Sequence, residues 1–118
     1  MIENKTLDIY GNGETYNEDN SPFIEYNNEI QTIVIEEGIT SIGKNLFNGI
    51  TNVKEIIIPT TVEVIEEGAF ENCINLKKVT IEKDSNGVNN LKIIGANVFK
   101  NCKQLTSIEL PSTLESIH

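Results

Sequence analysis

The 118-residue sequence contains no arginine, no tryptophan, one histidine and two cysteines, and no unbroken apolar run is longer than the three residues of Ile56–Ile58. Without arginine the bidentate contacts to phosphate and guanine are missing, and nine lysines against 18 acids leave a net charge of -9. Such a chain repels the nucleic-acid backbone it would have to neutralise, so no nucleic-acid partner is expected. So short an apolar run falls far below the about 20 residues of a spanning helix, so no membrane insertion is expected either. No basic leader followed by an apolar segment opens the chain, so a secreted parent would carry its leader ahead of Met1. The one histidine is the terminal His118, a poor place for a general base. Cys73 and Cys102 form no CxxC pair, which zinc sites ordinarily need.

What the chain does have is β-branched residues. Nineteen Ile and seven Val stand against seven Leu and two Ala, a bias toward pleated strands and away from helices. The acidity is uneven: residues 1–37 hold nine acids against Lys5 alone, whereas residues 38–118 hold nine acids against eight lysines.

A repeat decides the architecture. Residues 53–75, VKEIIIPTTVEVIEEGAFENCIN, match residues 30–52, IQTIVIEEGITSIGKNLFNGITN, position for position. A third copy, residues 76–104, carries six extra residues between Ile81 and Leu91, and a fourth, residues 105–118, breaks off at His118. Ile33, Ile56, Val79 and Ile108 form one column; Ile35, Ile58, Ile81 and Leu110 a second; Ile42, Ile65, Ile94 and Ile117 a third; Phe47, Phe70 and Phe99 a fourth. Self-similarity at a period near 23 residues marks a solenoid, whose units bury their apolar faces only by stacking. Period-two alternation ahead of Pro59 and Pro111 predicts a parallel strand per coil, stopped by a residue that cannot donate to a ladder. A short extended segment follows, and then one helical or 3-10 turn that drops the phenylalanine inward.

The pattern LxxIxIPxxVxxIxxxAFxxCxxL, intact around Ala69, Phe70 and Cys73, resembles the BspA-type leucine-rich repeat of bacterial surface and secreted proteins. The resemblance covers Ile30 to His118. It departs at Leu46 and Ile50, which stand for the usual Ala and Cys, at Val98 for Ala, and at Glu66 for Gly. It implies a leucine-rich repeat α/β solenoid, β-rich, in one domain over residues 1–118. It also implies a cell-surface or secreted location and adhesion to proteins or surface ligands. Residues 1–29 resemble the segment that precedes the first coil in such proteins. Leu7 and Ile9 are expected in a capping strand, and Phe23, Ile24 and Tyr26 as a lid.

No catalytic residue, cofactor or metal site is expected. Asp84-Ser85-Asn86-Gly87 resembles the start of a calcium loop but has glycine fourth instead of sixth. Gly11-Asn12-Gly13 reads as a hairpin turn in preference to a phosphate cradle. Asn4-Lys5-Thr6 fits a glycosylation triplet. The pairs Glu36-Glu37 and Glu66-Glu67 read as solvated edges. Cys73 and Cys102 share a column with Ile50 and read as reduced core thiols, a disulfide being the alternative.

The strand residues between the inward columns are expected to form two outward rows. One is Thr32, Glu55, Lys78 and Ser107; the other is Val34, Ile57, Thr80 and Glu109. Packing does not require Val34 and Ile57 to be apolar there, although β propensity alone could select them. Rimmed by Glu36, Glu55, Lys78 and Glu82, they are the candidate partner-binding patch. The alternative role is a structural spacer or cap in a larger protein. The truncated fourth copy leaves a strand edge, through which either self-association or a C-terminus less stable than the N-terminus is expected.

Overall fold

The structure is a computed structural model that describes residues 2–3, 5–15, 21–106, 108, 110, 114 and 116–117. In chain order its elements are β1 (Ile2–Glu3), β2 (Thr6–Ile9), β3 (Gly13–Glu14), a 3-10 helix (Ile24–Glu29), β4 (Thr32–Ile35), β5 (Ile39–Ile42), β6 (Glu55–Ile58), β7 (Val64–Ile65), β8 (Lys78–Ile81), β9 (Ile93–Ile94) and β10 (Ser116–Ile117). They form a parallel-strand solenoid of about three turns. The first sheet runs β1-β2-β4-β6-β8 and the second β10-β9-β7-β5-β3. Every pairing is parallel except β1 with β2.

Register follows the repeat. Ile33 pairs with Ile56 and Ile56 with Val79, and all three are buried, as are Ile35, Ile58 and Ile81. The interposed residues face out because a strand alternates its faces, and a one-residue slip would turn the whole isoleucine column to solvent. β6 ends at Ile58, one residue before Pro59. The short extended segments, read from the sequence only as connections, pair with one another as the second sheet. Ile42, Ile65 and Ile94 point from it into the same core. Phe23, Phe47, Phe70 and Phe99 stack as a column on the third side, with centroids 5.6, 5.6 and 5.9 Å apart.

The segment around Phe47 is a short turn closed by bonds of 3-10 type, as expected, while two other expectations need correction. Leu46 N–H bonds back to Gly43, Asn48 to Asn45 and Ile50 to Phe47, while the amides between them donate to the next coil, Phe47 to Ala69 and Gly49 to Glu71. Half the amides are thus spent sideways, and Asn45 (φ 58°) and Gly49 (φ 84°) turn left-handed, so no helix propagates. Gly11–Gly13 is no hairpin: β2 lies in the first sheet and β3 in the second, so the glycines turn a corner between sheets. Residues 5–15 and 21–29 therefore stack on the first repeat as a coil would, with Leu7 paired to Ile33, Ile9 to Ile35 and Phe23 on the aromatic column. Of the expected lid, Phe23 is partly buried against the core, whereas Ile24 and Tyr26 are exposed.

Of the fourth copy, Ile108 bridges to Val79 and β10 pairs with β9. Leu110 is exposed, while Ser107, Glu109, Pro111 and His118, on or beyond the strand edge through which self-association was expected, lie outside the described residues.

Candidate functional site

Chemistry is the first thing to look for. Both cysteines are free and buried. Cys73 donates its thiol hydrogen to the Phe47 carbonyl at 3.4 Å and Cys102 to that of Phe70 at 3.2 Å. Burial, which disfavours the thiolate, pushes the Cys73 thiol well above the ordinary range and raises that of Cys102. A thiol reagent is therefore expected to react slowly with the native protein and to titrate both cysteines after denaturation. Rapid native labelling, or no free thiol in denaturant, would contradict the assignment.

The apparent calcium loop is a self-contained turn. One Asp84 carboxylate oxygen accepts the amides of Asn86 and Val88 at 2.8 and 3.0 Å, and the Asp84 carbonyl accepts that of Gly87. This is the Asx-turn use of aspartate. The paired acids diverge: Glu37 accepts bonds from Thr60, and Glu67 pairs with Lys44 at 3.5 Å. Among the described residues no group of three or more His, Cys, Asp or Glu is placed to hold a metal ion. Asn4 lies outside them.

The outward rows assemble as the repeat requires. Thr32 lies beside Glu55 and Glu55 beside Lys78; Val34 lies beside Ile57 and Ile57 beside Thr80. Val34, Ile57 and Thr80 are half-buried, while Glu36, Lys78 and Glu82 are exposed. Lys78 reaches Glu55 at 3.8 Å, an exposed pair worth little by itself. Ser107 and Glu109 lie outside the described residues.

The structure adds β2 to this face, placing Thr6 beside Thr32 and Asp8 beside Val34. The Glu36 carboxyl is held above its usual range, first by partial desolvation, then by a hydrogen bond that its protonated form donates to Asp8, and by the charges of Asp8 and Glu82. Negative charge is thus crowded at the end of the face where β4 and β8 finish. Asp8 was missed in the sequence because it precedes the recognisable repeats. Its signal was the alternation Leu7-Asp8-Ile9.

A second concavity of about 290 Å³ opens near the corner after β2, lined by Ile9, Tyr10, Phe23, Ile39 and Leu46 with Asn12, Glu14 and Thr15. No polar group of its lining is buried, so nothing there is held ready to orient a ligand.

Comparison with known proteins agrees with this geometry. A family model described as "BspA type Leucine rich repeat region (6 copies)" matches residues 19–118. A leucine-rich repeat protein from Eubacterium ventriosum superposes with a TM-score of 0.68 at 25% identity, over 97% of this chain and 35% of that one. The leucine-rich repeat protein of T. pallidum superposes with a TM-score of 0.73 at 20% identity, over 95% of this chain and 55% of that one. The chain thus spans about a third and about half of these two structures. No curated protein matches it.

Proposed function

We propose, from the premise that the chain belongs to the BspA-type leucine-rich repeat family, as the match over residues 19–118 shows, that it is a binding module with no chemistry of its own. It presents the outer face of the first sheet to a protein or surface ligand. The observation that carries this reading is the register of Val34 against Ile57: two apolar side chains meet on the solvent side of a sheet whose other side already holds the core. An apolar centre within a charged border is the anatomy of a recognition patch. A cell-surface or secreted setting agrees with the family. Among the described residues no helix is long and apolar enough to cross a membrane.

A second reading, that of a spacer within a longer protein, draws on the two similar structures, which are about three and two times the length this chain covers.

The two readings part on an array of purified secreted and cell-surface proteins probed with the chain. Saturable binding is expected, and Val34→Lys with Ile57→Lys should abolish it while moving the unfolding midpoint by only a few degrees, as surface substitutions do. Binding that survives both lysines excludes this face. Silence across the array favours the spacer.

A further inference from the structure

The outer face of the first sheet is charged oppositely at its two ends. Lys54 and Lys77, both exposed, precede β6 and β8, and exposed Lys78 opens β8. Glu55 opens β6 among these lysines; Glu36 and Glu82 follow β4 and β8 at the other end, with exposed Lys83 after Glu82, so each end keeps an excess of its own sign. Val34 and Ile57 lie between.

We propose that this face pairs with the same face of a second copy of the chain, about a two-fold axis running across the strands above the row Val34, Ile57 and Thr80. The inference rests on the reading of the face as a recognition surface and names its partner. Two identical sheets packed face to face can share a two-fold axis along the strands or across them. An axis along the strands lays the lysine end on the lysine end. An axis across them reverses the strand direction and lays each strand over its own copy, so the lysine end of one chain meets the glutamate end of the other.

In this second arrangement the apolar residues are self-complementary, as an isologous contact requires: Val34 meets Val34 and Ile57 meets Ile57. Residues two places before the axis meet those two places after it. Lys78 therefore faces Glu82 of the second copy, and the symmetry makes this contact twice. Within one chain the two residues are separated along the strand by about 13 Å at the usual strand rise, too far to pair. The same axis lays Asp8 over its own copy and brings Lys77, three places before the axis, toward Lys83, three places after it; these are the unfavourable contacts of the set. Four strands about 4.8 Å apart and five residues long give a footprint on the order of 300 Å², well below the about 800 Å² per partner of a standard interface. The dimer is therefore weak, with a Kd on the order of 100 µM.

Sedimentation equilibrium of the chain alone, from about 10 µM to about 1 mM to bracket that Kd, tests this. The wild type should associate reversibly. Lys78→Glu and Glu82→Lys should each weaken association at least tenfold, because each change counts twice. An equimolar mixture of these two variants should recover it. In the mixed dimer the carboxylate introduced by the first change faces the ammonium introduced by the second, and the native Glu82 and Lys78 make the other contact. Asp8→Asn should tighten association. Circular dichroism confirms that each variant is folded. A wild type that stays monomeric at the highest concentration, or a mixture no tighter than its components, overturns the pairing. Because no outside ligand enters this experiment, either result leaves the array measurement to decide separately whether the face binds another protein.

Discussion

Phe70→Ala is expected to destabilise the protein by about 3–5 kcal/mol, the cost of emptying a buried aromatic site. Phe70 is fully buried. Its ring is sandwiched between Phe47 at 5.6 Å, with planes 3° apart, and Phe99 at 5.9 Å, with planes 12° apart. Truncation removes both contacts and opens a cavity in the middle of the column, where coils above and below prevent collapse. Phe23→Ala is the comparison. It sits at the end of the column, partly exposed and with one ring neighbour, so its loss should be clearly smaller. Denaturant unfolding of both variants measures the difference. A Phe70→Ala loss under about 1 kcal/mol, below the range for buried aromatics, would show that the column is not the core.

Gly38→Ala is expected to cost about 3–5 kcal/mol for two reasons that add, backbone strain and overpacking. Gly38 has φ of +110° at the corner between β4 and β5, a region closed to L side chains, asparagine included. An added Cβ would also lie 2.5 Å from the Gly11 carbonyl oxygen of the preceding coil. That oxygen cannot withdraw freely, because the corners are tied together: Gly13 N–H donates to the Gly38 carbonyl at 2.8 Å, and Gly38 N–H donates to Thr61 Oγ1 at 3.0 Å. Gly87→Ala isolates the strain. Gly87 has φ of +76° with nothing near its absent side chain, so alanine there should cost about 1 kcal/mol. Equal losses at the two sites, measured by thermal unfolding, would mean that the corner contact between coils does not constrain the stack.

The sequence disclosed the part of the fold that repeats by chemistry. Ile33, Ile56 and Val79, or Phe47, Phe70 and Phe99, can be aligned because burial admits only apolar side chains at those places. The strand register, and with it the two outward rows, follows from that alignment. The second sheet was harder to see. β7 and β9 are two residues long, too short to show an alternation, and they exist as strands only because neighbours a coil away pair with them. The earlier coil, to which residues 5–15 and 21–29 contribute, was obscured by its spacing, since Leu7 precedes Ile33 by 26 residues and Phe23 precedes Phe47 by 24. The left-handed column Asn45, Gly68 and Asn97 did leave a signal. Alternation of asparagine and glycine at one repeat position is what a positive φ selects. Asp8 could not be placed on the face until that earlier coil was recognised.

The asparagine side chains have a mechanical consequence. Asn101 donates to Asn72 and Asn72 to Asn48, two rungs running in the same direction as the sheet hydrogen bonds, from coil to coil, and Asn48 ends the string on Asn45 within its own coil. Tension along the stacking axis loads these rungs one at a time, so the molecule opens like a zipper. Each 23-residue coil then releases roughly 75–80 Å of slack at full extension. Tension along the strands instead loads all the rungs between two coils together and meets far greater resistance. A chain anchored through its two ends is thus a compliant tether that lengthens in steps, whereas the same chain gripped across its coils is stiff.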